Sequence, residues 1–266
     1  MRSGKATAKN NKDPNLTDMP INDSYTGNMI NSTNDFIYIQ DPFYEIAQSS
    51  GAIISQKKDI KDALVGHLTE NRYHVFLQTP MGLKYAFKCS EKSDFCARCF
   101  CQAKCRPLEL IMRHVVSLQE LDADLAKVFI KVDKPFECSC RRLKTSFMDV
   151  RLTDNGQYLG QIIEPYTCCD IEAEIFDKNG KLKYNIFGDC CQLGLHCGCI
   201  GKKLSTIKFD INHKGHTVGN IKKMTSTLGE FFTKADSFQI IFPTSATPED
   251  KILLILAGLM IDYQNF

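Results

Sequence analysis

Ten consecutive apolar residues, 252–261, sit almost at the end of the chain between Lys251 and Asp262. A helix that crosses a bilayer needs about 20 such residues, whereas a run of roughly 10 to 14 is more often a helix buried in a protein core. At about 1.5 Å per residue the run covers only about half of a hydrocarbon layer ~30 Å thick. It is apolar on every side, so it has no face to offer water and must be surrounded by protein. A β-rich domain wrapped around a C-terminal helix meets that demand.

The preceding sequence reads as a supply of such strands. Short runs of β-type composition recur at 73–78, 83–88, 108–113, 128–132, 147–152, 158–163, 171–176, 182–187, 206–211 and 238–242, with a shorter one at 52–55. Pro80-Met81-Gly82, Asp154-Asn155-Gly156, Asn179-Gly180 and His213-Lys214-Gly215 lie between runs, each Gly allowing the positive φ of a tight hairpin. There is no βαβ alternation, and a helical turn is expected only near 59–64. Two internal echoes, Leu83-Lys84-Tyr85 with Leu182-Lys183-Tyr184 and Gly156-x-x-Leu-Gly160-x-Ile162 with Gly215-x-x-Val-Gly219-x-Ile221, suggest a repeated hairpin unit. The fold class that follows is mainly β, a closed antiparallel barrel with the apolar helix as its filling, because closure removes exposed sheet edges.

Residues 1–43 are rich in Asn, Asp, Ser, Thr and Lys and lack apolar periodicity, so they read as a disordered tail before a folded domain over 44–266. The formal charge of +2 excludes a polyanion binder driven by global charge and leaves only local basic patches. These are Lys57-Lys58, Arg141-Arg142 with Lys144, Lys202-Lys203 and Lys222-Lys223. No export signal or N-terminal myristoylation site is present, which gives an intracellular expectation. The 13 cysteines are then thiols, acylation points or metal ligands rather than a disulfide framework.

The segment Ala235-Asp236-Ser237-Phe238-Gln239-Ile240-Ile241-Phe242-Pro243, followed by a polar linker and the apolar run, resembles the phospholipid scramblase family. The likeness extends back through 215–221, the 182–191 hairpin and Arg106-Pro107-Leu108 after a cysteine cluster, to about Tyr44. It implies a tubby-like fold, a barrel of about twelve strands around a hydrophobic C-terminal helix. It also implies ATP-independent, bidirectional, calcium-stimulated movement of phospholipids across the bilayer, at the cytoplasmic face of the plasma membrane. Phospholipids of the cytoplasmic leaflet would be its partners.

Three departures from the family pattern bear on this. The calcium segment of the family begins and ends with Asp; here those positions are Lys234 and Ser245, and only Asp236 remains. Calcium takes six to eight oxygen ligands, so one carboxylate beside an ammonium group binds it poorly. The family's acylated cysteine run falls on 141–146, which contains no cysteine, leaving Cys138 and Cys140 as palmitoylation candidates beside Arg141, Arg142 and Lys144. Lys202, Lys203, Lys222 and Lys223 are further candidates for contact with anionic headgroups. The proline-rich segment of longer members is absent.

Other chemistry is thin. Cys96, Cys99, Cys101 and Cys105, and Cys190, Cys191, Cys197 and Cys199, form two thiol-rich stretches that offer zinc as an alternative, although the spacing of paired knuckles is missing. Gly201-Lys202-Lys203 fails as a phosphate loop because Lys203 fills the Ser/Thr position. No catalytic signature is present, so a non-enzyme is expected. Lys222-Lys223 without a recognition helix argues against nucleic acid. The alternative to transport is a lipid- or protein-binding module, cytosolic or at the membrane surface, whose barrel stays closed.

Overall fold

The computed structural model describes residues 41–57, 70–100, 106–116, 126–136, 146–167, 170–189, 207–224 and 237–265. A short helix α1 (Pro42–Gln48) leads into twelve strands: β1 (Gly51–Lys57), β2 (Arg72–Thr79), β3 (Gly82–Lys92), β4 (Leu108–His114), β5 (Val128–Lys134), β6 (Ser146–Leu152), β7 (Tyr158–Glu164), β8 (Ile171–Asp177), β9 (Leu182–Gly188), β10 (Lys208–His213), β11 (His216–Met224) and β12 (Ser237–Ile241). A six-residue helix α2 (Phe95–Phe100) follows β3, and α3 (Pro248–Asn265) ends the chain. Each strand pairs antiparallel with its neighbours in sequence, and β1 closes the barrel on β12. The expected barrel is therefore the observed one.

Alternation along the strands explains why the barrel has an inside. In β2, Tyr73, Val75 and Leu77 are buried while their neighbours are not, and β5, β6 and β10 repeat the pattern. The inward residues converge on α3, whose residues 252–257 are at most 1% exposed. No helix among the described residues is long and apolar enough to cross a membrane. α3 starts with a reciprocal cap: Asp250 N–H donates to Thr247 Oγ1 at 3.3 Å, and Thr247 N–H donates to Asp250 Oδ2 at 3.1 Å. The barrel is thus filled rather than hollow, with a void of about 10 Å³ near Met260 and Tyr263, room for no more than about one water.

The hairpin glycines behave as their chemistry requires. Gly82, Gly156, Gly180 and Gly215 have φ of 119°, 67°, 73° and 82°, and Lys214 joins Gly215 at φ 50°. The echoed pairs occupy matching places: Lys84 meets Glu45 of α1 at 2.8 Å and Lys183 meets Asp250 of α3 at 3.1 Å. A Cβ on Gly160 would lie 2.3 Å from the Phe176 carbonyl oxygen, and one on Gly219 would lie 2.5 Å from that of Ile241. Both glycines let neighbouring strands close tightly.

Some elements differ from expectation. α1 was not foreseen as a helix, although Asp41 caps it by accepting from Phe43 N–H at 3.0 Å and Pro42 opens its first turn. The run expected at 206–211 is β10 from Lys208; Ile207 just before it is buried and its carbonyl accepts from Lys223 N–H at 2.9 Å, and residue 206 lies outside the described residues. The turn expected near 59–64 and the tail up to residue 40 lie outside the described residues.

Burial makes the barrel sensitive to alkali. Desolvation, then the Asp250 carboxylate, pushes the Tyr184 phenol up to about 12. Tyr73 moves in the same direction through its burial and the Asp262 charge. An unfolded tyrosine loses its proton near pH 10, so between about pH 10 and 12 the native state holds more protons than the unfolded one, and stability falls as pH rises. Lys251, lowered by desolvation, works in the opposite direction but as one group against two. Urea midpoints measured from pH 9 upward should fall through this window, and Tyr184→Phe should remove a part on the order of 2 kcal/mol.

Candidate functional site

Because the strands form a meander, every second connection lies at the same end of the barrel. The tight turns before Gly82, at 153–157, at 178–181 and at Lys214-Gly215 share one rim with α1 and the start of α3. β1, β3, β5, β7, β9 and β11 end at the opposite rim, where α3 also finishes.

The turn rim is closed by ion pairs. Glu45 is held between Lys84 at 2.8 Å and His114 at 3.4 Å; burial alone would raise its carboxyl, but these two partners outweigh it and lower it. Lys251 is 7% exposed and donates to the carbonyls of Ile46, Ala47 and Ser49 at 3.2, 2.9 and 2.7 Å. The far rim is closed by a second network. Arg106 pairs with Glu91 at 3.2 Å, donates to the Tyr263 hydroxyl and stacks over its ring, while Lys134 donates to the Arg106 carbonyl at 3.1 Å. With both ends latched and the interior packed, a phospholipid has no route through the middle of this barrel.

The outer wall does offer room. A groove of about 590 Å³ opens at the far rim, over the end of β3 and the outward faces of β4, β5 and β6. Pro107, Leu108, Pro135 and Phe147 give it apolar contact surface, and charged residues of both signs line the rest. Lys131 lies 2.8 Å from Glu109 and 3.8 Å from Asp133. The Gln161 amide donates to Asp149 at 2.9 Å, and Arg151 stacks over the Tyr158 ring at 4.9 Å. Pro107 and Leu108 belong to the stretch that carries the family likeness, but none of the charged residues was singled out from sequence.

Exposed aromatic side chains mark the same rim. Phe95 follows β3, Phe136 follows β5 and Tyr166 follows β7, each more than half exposed. The turn rim instead exposes mainly aliphatic residues, Met81, Leu83, Val116 and Leu182, with Tyr44 its one large aromatic among the described residues. Tyr is enriched at membrane–water interfaces, and Phe is among the residues by which membrane-surface helices bury their apolar face.

Most residues singled out from sequence lie outside the described residues: Asp236, Cys101, Cys105, Cys138, Cys140, Arg141, Arg142, Lys144, Cys190, Cys191, Cys197, Cys199, Lys202 and Lys203. Cys99 falls in α2, and Cys96 is an exposed free thiol. Cys89, absent from the expected thiol clusters, is buried in β3, and burial pushes its thiol upward and makes it inert. Lys222 and Lys223 are adjacent on a strand, so they project to opposite sides. Lys222 stands opposite Lys208, while the Lys223 ammonium lies 5.4 Å from the Phe238 ring centroid.

Of the segment 234–245, residues 237–245 are described, while Lys234 and Asp236 lie outside the described residues. Ser237 opens β12 and Ile241 ends it. Among the described residues, no three His, Cys, Asp or Glu side chains converge to hold a metal ion.

The family model described as Scramblase matches residues 33–266. Human phospholipid scramblase 1 is 25% identical over 225 residues, covering 83% of this chain and 64% of the relative. Human phospholipid scramblase 2 is 24% identical over the same length and 69% covered, and the mouse phospholipid scramblase 1 is 24% identical and 62% covered. This chain thus spans less than two thirds of the length of human phospholipid scramblase 1. No solved structure matches it.

Proposed function

This chain belongs to the scramblase family, and we propose that it exchanges phospholipids between the leaflets of a bilayer in both directions without an energy source. The observation that carries this reading is the extent of the family match, which takes in all twelve strands and the central helix rather than one motif. Exchange down a gradient makes and breaks no covalent bond, so the lack of a catalytic motif is no obstacle. What it demands is a polar surface along which a headgroup can pass while its tails stay in lipid.

In a closed, filled barrel that surface is the outer wall. Acylation at Cys138 or Cys140, with Arg141, Arg142 and Lys144 adding roughly 1 kcal/mol each on an anionic leaflet, would bring the β5–β6 end of the barrel against the membrane. Phe95, Phe136 and Tyr166 are exposed at that same end. The surface we propose is the cytoplasmic leaflet of the plasma membrane, which is what the family resemblance implies. Calcium stimulation is what the family resemblance implies, and Asp236 is the one carboxylate that the segment 234–245 keeps for it.

One observation favours a second reading. With α3 packed inside and both rims latched, the domain could bind lipid or protein at the membrane surface without moving anything. Vesicles carrying a fluorescent phospholipid that is quenched only in the outer leaflet separate the two readings. The transport reading expects the full-length protein to carry quenching beyond the outer-leaflet fraction, with and without calcium; binding that leaves the inner leaflet protected contradicts it.

A further inference from the structure

The groove on the outer wall has an unusual charge arrangement, visible only in the strand register. Asp133 of β5 stands directly opposite Glu109 of β4 on one side and Asp149 of β6 on the other. Two residues along the same face, Lys131 stands directly opposite Arg151. Like charges in directly opposed positions destabilise a sheet, and here an acidic row lies beside a basic one. Violations of this kind cluster at functional sites. The Lys131 bridges to Glu109 and Asp133 relieve the conflict only in part, since they are exposed pairs and weak. Each row would gain from a ligand group of opposite sign, and the two rows together ask for both signs in one molecule.

We propose that this groove binds the zwitterionic headgroup of a phospholipid, with its phosphate against Lys131 and Arg151 and its ammonium against Asp133 and Asp149. The two rows are about 7 Å apart, the spacing of residues i and i+2 on a strand, which suits a phosphate and an ammonium joined by a short linker. Phe147 shares the outward face of β6 with Asp149 and Arg151 and lines the groove, giving N-methyl groups an aromatic surface. The four cations and four carboxylates of the lining, Lys92, Lys131, Lys134 and Arg151 with Asp94, Glu109, Asp133 and Asp149, cancel in formal charge. A purely anionic headgroup would find no net attraction there and would face the acidic row. The choice of a lipid as ligand rests on the exchange reading above.

Titration of the full-length protein with soluble glycerophosphocholine, followed by amide shifts of β4 to β6, tests the assignment. Saturable binding is expected, with glycerophosphoglycerol, an anion of similar size, weaker by roughly tenfold or more. Asp149→Asn and Arg151→Gln should each weaken glycerophosphocholine by about tenfold. Asp133→Asn and Lys131→Gln provide a second pair if either of those variants loses its cooperative melt. Phosphatidylcholine vesicles should compete with the soluble probe. Absence of saturable binding, equal binding of the anionic probe, or binding by folded variants at wild-type strength would overturn the proposal. A site that takes the free diester without competition from vesicles would belong to a soluble metabolite and would overturn it too. Headgroup binding that persists in a protein unable to exchange lipid would retire the transport reading and leave the groove standing.

Discussion

Leu254→Asp should leave the chain unable to fold. Leu254 is 0% exposed in the middle of α3, with barrel wall on every side. A carboxylate placed there has no partner and no water, and the effective penalty is several kcal/mol. Whole domains are stable by only about 5 to 15 kcal/mol, so that single term takes up most of the margin. Leu254→Ala gives a graded version. Loss of a buried leucine side chain costs about 3 kcal/mol, which in a domain of this size lowers Tm by roughly 6 to 12 °C. Leu182→Asp is the control: Leu182 is 46% exposed on a hairpin, and its replacement should stay within about 0.5 kcal/mol. Thermal melts followed by circular dichroism read all three.

The second large effect is expected at Lys251→Met. An ammonium near the positive end of a helix is poorly placed by itself, and burial lowers its pKa further. It is retained because all three of its protons are used on α1 and the residue just after it, at the carbonyls of Ile46, Ala47 and Ser49. Methionine keeps the volume but leaves those carbonyls without the charge-assisted donor. Each such bond contributes about 1.5 to 3 kcal/mol, and relief from burying the ammonium offsets part of the sum. A net loss of about 3 kcal/mol is expected by urea denaturation, with α1 becoming the first site cut by protease. An unchanged midpoint would mean that α1 is not tied to the barrel through this residue.

The legibility of the sequence followed the range of the interactions. Period-two burial and hairpin glycines are local, so Tyr73-x-Val75-x-Leu77 and Asn179-Gly180 read correctly by themselves. The apolar run was equally plain, since ten residues without a polar one leave a helix no solvent face. α1 escaped because seven residues are too few for a periodic signal, and only the Asp41-Pro42 cap marked it. β11 carries Gly219 and two consecutive lysines, and it is a strand because β10 and β12 pair with it on either side. The groove was invisible for a stronger reason. Glu109, Lys131, Asp133, Asp149 and Arg151 come from three strands, and only the register puts them face to face.

The echo Leu-Lys-Tyr shows how a short motif gained meaning from tertiary contact. Lys84 and Lys183 each reach from the second strand of a hairpin to an acid on a helix, one at α1 and one at α3. Tyr85 and Tyr184 each lie against a histidine ring, His74 and His213, at 5.2 and 5.5 Å between centroids. Repetition in sequence therefore marks places where the barrel wall holds its helices.

The closed barrel requires α3 to stay inside its wall when the protein meets lipid. A photoreactive probe confined to the hydrocarbon layer, activated on vesicle-bound protein and located by peptide mass spectrometry, tests this directly. With the helix enclosed, adducts are expected around Phe95, Phe136 and Tyr166 and none on residues 252–261. Adducts along 252–261 would show the helix out in the bilayer and would contradict the closed barrel as the working form.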